Sequence, residues 1–275
     1  MKNNRREFLR KATAATAFLA GQGLISLSAA ELADNPGKVA LRFAVASDGH
    51  YGQPDTSFES FFRTITESIN DLHSRLPLQA CVINGDIIHD KPEFLAPAKL
   101  ALDRLKVKYH VTRGNHDMVT SAHWEETWGQ SLNQTADHGR HSFILCDTSN
   151  EKGQYLCPDL EWLSRELDKR KNQKNIFLFL HIPQVKWTQF SIESPAFMEL
   201  VGKYGNISAI FHGHEHGEDS HKMLGGIPCL FDAHFGGNWG TEYRGFRVVE
   251  VLPDKGFITW IMNPDEKLNE FSHGR

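Results

Sequence analysis

Five apolar, partly β-branched runs punctuate the chain: Leu41–Ala46, Cys81–Ile83, Tyr109–Val111, Ile176–Leu180 and Ile207–Phe211. Runs of this length and composition predict strands. Ile176–Leu180 is nearly continuous apolar sequence, as expected of a strand covered on both faces. Between the runs the period changes. From Thr56 to Leu76, Phe58, Phe61, Phe62, Ile65, Ile69 and Leu72 fall on one helical face, and Pro77 ends the helix. A second helix is predicted near Glu93–Leu105 from Leu95, Leu100, Leu102 and Leu105. A third starts at Pro158, runs through Trp162, Leu163 and Leu167, and ends in Lys169-Arg170-Lys171, basic residues that suit a helix C-terminus. His141–Asp147 reads as a further strand. After His216 the texture shifts to short strand-like pieces between Gly-rich turns: Met223-Leu224, Ile227–Phe231, Phe246–Leu252 and Phe257–Met262. This half is expected to be antiparallel and to pack beside the first as a second sheet. There is no internal repeat, low-complexity run or linker, so residues 31–275 are read as one domain.

Each of the five runs is followed by polar residues of one chemical kind. In order they are Asp48-Gly49-His50, Gly85-Asp86, Gly114-Asn115-His116-Asp117, His181 and Gly213-His214-Glu215-His216. Polar side chains at strand ends gather along one edge of a sheet, and in open α/β sheets the carboxyl edge is where ligands bind. The pooled groups are imidazole, carboxylate and one amide, without thiolate. That set suits hard or borderline ions such as Mn, Fe or Zn. Taken alone, a histidine such as His181 is more often a core or surface residue than a ligand. His212, before Gly213, is expected to point away and to be structural.

The 275-residue length and 40% apolar content fit an ordinary globular domain. The first thirty residues stand apart. Asn4-Arg5-Arg6-Glu7-Phe8-Leu9-Arg10-Lys11 is basic, Ala12–Leu27 is weakly apolar, and Ser28-Ala29-Ala30 follows. This is the three-part layout of an export signal. It resembles the bacterial twin-arginine signal, with Asn4 in place of Ser/Thr and Arg10 in place of Lys. The competing reading is a membrane anchor, but Thr13, Thr16 and Gly21-Gln22-Gly23 leave the stretch short and poorly hydrophobic for a span. The expectation is therefore an exported protein, handled by the twin-arginine machinery and not stably inserted in a membrane. Losing residues 1–30 removes five basic residues and one acidic one. That leaves 25 Lys+Arg against 33 Asp+Glu, a formal charge of −8. Such a surface disfavours nucleic acid but does not exclude a small phosphoester drawn to a metal. The four cysteines, Cys81, Cys146, Cys157 and Cys229, lack zinc-site spacing. Cys81 and Cys146 fall inside apolar runs, as buried thiols do, and three disulfide pairings stay open.

The five clusters, in this order, resemble the calcineurin-like metallophosphoesterase family: Asp-x-His, Gly-Asp, Gly-Asn-His-Asp/Glu, a lone His, then Gly-His-x-His. The resemblance implies an α/β fold, an αββα sandwich of two packed mixed sheets flanked by helices. It implies two divalent or trivalent metal ions. Asp48, His50 and His216 would hold the first, Asn115, His181 and His214 the second, and Asp86 would bridge them. Two cations on one water lower its pKa enough to furnish hydroxide for attack on phosphorus, while the metals neutralise phosphoryl charge. His116 would be the catalytic acid for the leaving oxygen. Gly49, Gly85, Gly114 and Gly213 fit tight turns that aim the ligands inward. One position departs from the family. Three residues after Asp86, where Asp or the iron-binding Tyr of purple acid phosphatases often stands, this chain has His89 followed by Asp90. The purple chromophore is therefore not expected, and Asp90 or Asp117 becomes the candidate support for His116. His89, Asp117 and Trp239 are candidate substrate contacts. Tyr51, Trp124, Trp128 and Trp187 are candidate pocket walls, although the helical spacing of Trp124 and Trp128 also suits plain core packing. The expected activity is hydrolysis of a small phosphoester. Gly-Asn-His-Asp leans toward a phosphodiesterase, with a phosphomonoesterase or a non-catalytic binding module on the same fold as alternatives.

Overall fold

In the computed structural model, which describes residues 39–254, 256–263 and 266–274, the apolar runs are strands at the centre of two sheets. The strands are β1 (Leu41–Ala46), β2 (Ala80–Asn84), β3 (Tyr109–Thr112), β4 (Gln134–His138), β5 (His141–Cys146), β6 (Asn175–Leu180), β7 (Ile207–His212), β8 (His221–Leu224), β9 (Ile227–Phe231), β10 (Phe246–Val251), β11 (Phe257–Asn263) and β12 (Glu266–His273). The helices are α1 (Phe58–Arg75), α2 (Leu95–Leu102), α3 (Ser121–Trp128), α4 (Leu160–Lys169) and α5 (Pro195–Gly202). The export-type leader and its cleavage site lie outside the described residues. Among the described residues, no helix is long and apolar enough to cross a membrane.

The first sheet has the order β12-β11-β10-β1-β2-β3, and the second β4-β5-β6-β7-β9-β8. β1, β2 and β3 run parallel, as do β5, β6, β7 and β9. Antiparallel strands complete each sheet at its flanks. Both sheets are mixed, as expected. The expectation that the chain after His216 forms a second sheet of its own is wrong. β9 joins β7 in parallel, whereas β10 crosses back to pair antiparallel with β1. Periodicity reports how a strand is covered, not which neighbour it meets. β1 had one side unpaired after β2 took the other, and β10, buried along its whole length, fills it.

The main core lies between the sheets. Phe43 on β1 sits with its ring centroid 4.7 Å from Phe143, 5.2 Å from Phe177 and 5.8 Å from Phe211, all strands of the other sheet. Val45, Val82, Phe179, Leu230, Val249 and Phe257 join them. Burying each such Phe stabilises the fold by about 1.5–3 kcal/mol. The far face of the second sheet packs Ile144, Leu178 and Ile210 against Leu163 and Leu167 of α4 and Phe197 and Val201 of α5. On α1 the buried face is Phe62, Ile65, Thr66, Ile69 and Leu72; Phe58 and Phe61, the other members of the predicted stripe, are half-buried. α4 begins at Leu160 rather than Pro158 because Asp159 is its cap, accepting from the Trp162 amide at 2.9 Å. Trp124 and Trp128 of α3 are buried with ring centroids 5.7 Å apart, so they are core residues and not pocket walls. Tyr51 is likewise buried among Phe58, Phe62 and Phe94. All four cysteines are free thiols; Cys81, Cys146 and Cys229 are buried and Cys157 is exposed.

Candidate dinuclear metal centre

The carboxyl ends of β1, β2 and β3 in one sheet, and of β6 and β7 in the other, deliver all five clusters to one place. Short backbone ties hold the ends in register: the Asp48 amide donates to the Gly85 carbonyl at 3.0 Å, and the His50 amide to the Asp86 carbonyl at 2.9 Å. The turns are cramped. Gly85 has φ +86°, and a Cβ there would lie 2.4 Å from His181 Nδ1. Gly114 needs its bare Cα for a different reason, since a Cβ would meet the Asp86 amide nitrogen at 2.2 Å. The proposed ligands Asp48, His50, Asp86 and His214 themselves adopt left-handed backbone, with φ of 59°, 46°, 50° and 69°. Such conformations cost of order 1–3 kcal/mol each and persist where the surroundings dictate them, often at functional sites.

The side chains converge in three groups, Asp48–His50–His216, Asp86–His181–His214 and, sharing His50 with the first, His50–His89–His116; the first two contain the ligands expected from the sequence. In the first, His216 Nε2 lies 3.1 Å from Asp48 Oδ1 and 3.0 Å from His50 Nε2. Donors held roughly 2.0–2.2 Å from one ion stand about 3.0–3.5 Å from each other, so these spacings fit. Asp86 connects these first two groups through a single atom. Its Oδ2 is 3.2 Å from His181 Nε2 and 3.7 Å from His50 Nε2. In the second group, His214 Nε2 and the nearby Asn115 Oδ1 are buried yet make no hydrogen bond among the described residues. Buried polar atoms without partners are costly. An oxygen and a nitrogen lone pair beside a carboxylate and a second imidazole are what a hard or borderline cation would satisfy. The residues present therefore fit two ions.

Outer contacts orient the imidazoles. His181 Nδ1 meets the Asn84 carbonyl at 2.7 Å, and His216 Nδ1 meets the Trp239 carbonyl at 3.2 Å. His214 uses the Phe190 carbonyl. Asn84 also donates to the Phe211 carbonyl at 3.2 Å, which ties β2 to β7 across the two sheets. Asn84 lies outside the five motifs. Its one visible signal is an amide at the end of an apolar run, immediately before Gly85-Asp86.

Charge follows the geometry. Burial pushes the Asp48 carboxyl up, but His216 and His181 outweigh it and bring it down to about 2. Burial likewise disfavours a charged His181, yet the Asp86 and Asp48 carboxylates raise it to about 10. Burial keeps His50 well below the ordinary imidazole range and takes His214 down to about 4. His116 is raised: burial opposes its charge, but Asp86 and the hydrogen bond that its Nδ1–H donates to Asp90 favour it. That bond joins His116 Nδ1 to Asp90 Oδ1 at 2.7 Å, so Asp90 is the support for His116.

Asp117 does not fill the role of substrate contact. It is wholly buried, and its two oxygens accept from the Gly114 and Ile88 amides at 2.8 and 2.9 Å. Burial and the nearby Asp86 push its carboxyl up to about 7. It braces the loop that presents Asn115 and His116. His89 and Trp239 do reach the site. His89 stacks on His116 at 4.8 Å and 10°. Trp239 stacks on His216 at 4.2 Å and 9° and is 43% exposed, so it forms part of the rim. Trp187 packs instead against Phe231 and His212, and His212 bonds the Leu180 carbonyl at 2.9 Å, a structural role as expected.

Among solved structures, the chain resembles a dimetal phosphatase from Danio rerio (13% identity, TM-score 0.70, 86% of this chain and 99% of that one). It also resembles GAP50, described as the anchor in the inner membrane complex of Plasmodium (14%, 0.62, 85% and 88%). A third is the calcineurin-like phosphoesterase YfkN from Bacillus subtilis (17%, 0.53, 86% and 90%). At these identities the likeness is one of fold. No curated protein sequence matches. The family model for calcineurin-like phosphoesterases matches residues 41–218, the stretch that runs from β1 past the last of the five clusters. With that match across most of its length, the chain belongs to the calcineurin-like phosphoesterase family.

Proposed function

We propose that this protein is an exported, two-metal hydrolase of small phosphoesters, acting on diesters in preference to monoesters. The observation that carries the hydrolase reading is the position of Asp86 Oδ2, within 3.2 Å of a nitrogen of one group and 3.7 Å of a nitrogen of the other. A single carboxylate can serve two ions only from such a place. Bound there, two cations would supply an activated water and neutralise charge on the phosphoryl oxygens. Asp48, His50 and His216 would hold one; Asn115, His181 and His214 the other. His116 supplies the proton. Its Nδ1 is taken by Asp90, which leaves Nε2 as the atom that gives a proton to the departing oxygen. The Asp86 and Asp90 carboxylates raise its affinity for that proton, the direction an acid catalyst needs.

The preference for diesters rests on the cations nearest the motifs. A monoester brings a second negative charge, and a side-chain cation is the usual answer to it. Arg113 is committed to Asp147 at 2.6 Å and to the Ser149 and Val119 carbonyls. Arg244 donates from one amino group to the Gly237 carbonyl at 2.6 Å and stacks on Phe61, with its Nε left without a partner among the described residues. A diester, with one charge, makes less demand. The fold by itself does not decide for catalysis, since its relatives include a protein described as an anchor. The intact set of seven proposed ligands with His116 and Asp90 is what favours an enzyme, and the dimetal phosphatase of the same fold is consistent with it.

Metal-reconstituted protein should hydrolyse bis-p-nitrophenyl phosphate faster than p-nitrophenyl phosphate. The reverse order would make it a phosphomonoesterase. Two bound ions with neither substrate turned over would favour the binding module. Elemental analysis of Asp86→Ala should show more metal lost than in His50→Ala or His181→Ala, each of which would ligate one ion.

A further inference from the structure

We infer that His89 is a positioning residue for the first metal site, holding the ligand His50 through its ring nitrogen. The inference rests on the two-metal reading above and goes one residue outward from it. Histidine ligands ordinarily donate their second ring N–H to an outer acceptor, which fixes tautomer and orientation. Here His181, His214 and His216 all use backbone carbonyls, those of Asn84, Phe190 and Trp239. A backbone acceptor is present whatever side chain the residue carries. His50 differs. Its Nε2 faces His216 at 3.0 Å and Asp86 at 3.7 Å, inside the cluster, while its Nδ1 faces His89 Nδ1 at 3.1 Å. A neutral imidazole that binds through Nε2 carries its proton on Nδ1. His50 Nδ1–H therefore donates, and His89 Nδ1 must accept with its lone pair. That leaves the His89 proton on Nε2, on the side of Asp90 Oδ2, 3.9 Å away.

The same ring lies flat against His116 at 4.8 Å, and His116 is itself fixed by Asp90. His89 thus packs between the proposed ligand His50 and the proposed acid His116; the three imidazoles also form a group of their own, so a third ion there is the outcome that competes with the positioning role. His89 Nδ1 addresses the nitrogen of His50 that points outward, which places it beyond the coordination shell rather than in it. In this chain one outer contact of the metal centre is written in a side chain, at the position where the sequence departs from the family's Asp or Tyr.

Two substitutions separate the hydrogen bond from mere packing. His89→Asn places an amide oxygen near the position of Nδ1 and keeps an acceptor. His89→Leu keeps bulk and removes the acceptor. Both should fold, as read by melting of the metal-free protein. Binding of Mn(II) or Zn(II), followed by competition with a chelator, should show His89→Leu losing about 10–100-fold in affinity for one ion with the other unchanged. His89→Asn should recover most of that loss. Equal, undiminished binding in both variants would overturn the inference, as would equal loss in both, because then the acceptor is irrelevant. Loss of both ions, or a third ion in wild type that vanishes with His89, would also overturn it. Failure of wild type to bind two ions would instead overturn the two-metal reading itself.

Discussion

His116 and Asn115 are neighbours in sequence with different assignments, one to the proton and one to an ion. His116→Ala should therefore keep both metals and the fold while losing turnover. With an alkoxide leaving group the loss should be on the order of 10²–10⁴-fold; with p-nitrophenolate, which departs unaided, it should be smaller. Comparing kcat for both substrates in wild type and variant decides this: equal losses point to electrostatic stabilisation alone, and loss of metal makes His116 a ligand. His181 carries a second prediction. With its proton held to about pH 10 in the metal-free protein, an ion must displace that proton to use Nε2. The sign is fixed: the group is protonated below about 10, so affinity at this site falls as pH falls. Nitrogen NMR of the metal-free protein at pH 8.5 should show the His181 ring as an imidazolium that turns neutral on adding metal. An ordinary imidazole has already lost its proton at that pH.

At the scale of elements, the site is built from strand ends whose turns have no spare room. β2 runs into Gly85, where left-handed backbone and contact with His181 leave no place for a side chain. Gly85→Ala should cost at least the roughly 1–2 kcal/mol of forcing an L residue into that conformation, plus displacement of His181. Urea denaturation should show the loss of stability, and the variant should bind the second ion more weakly than the first. A wild-type transition midpoint with full metal content would mean the turn is more pliant than its contacts indicate. The helices contribute at a distance. α4 and α5 pack on the outer face of the second sheet, over β6 and β7, from whose ends His181 and His214 emerge with ring centroids 5.5 Å apart.

At the scale of the molecule, the two sheets each supply part of one centre, and neither is a site without the other. Asn84 links them at the edge that carries the candidate ligands, and the Phe43 cluster links them in the interior. A centre that depends on the packing of two sheets exists only in the folded protein. Under the twin-arginine reading this matters, because that route carries folded cargo and allows metal to be loaded first. Replacing Arg5 and Arg6 together with Lys should strand the precursor in the cytoplasm. Cell fractionation that finds the double variant exported as usual would remove the twin-arginine assignment.

The clusters Asp48-Gly49-His50 through His216 were legible without any structure, because strand runs and ligand residues are local properties and their order is a property of the chain. The helical stripe of α1 was legible for the same reason. The crossing of β10 back to β1 was not, since strand partners are chosen by long-range packing that periodicity does not encode. Nor was the fate of Asp117, whose neighbours in sequence suggest chemistry while its burial turns both oxygens to backbone amides. Asp90 could be suspected but not chosen over Asp117; only the fold brings it to 2.7 Å from His116. The sequence by itself determined which donors this protein owns and the order in which strands present them. Tertiary structure alone decided which of those donors face each other, because that depends on where two sheets meet, and the meeting is fixed by the packed core between them.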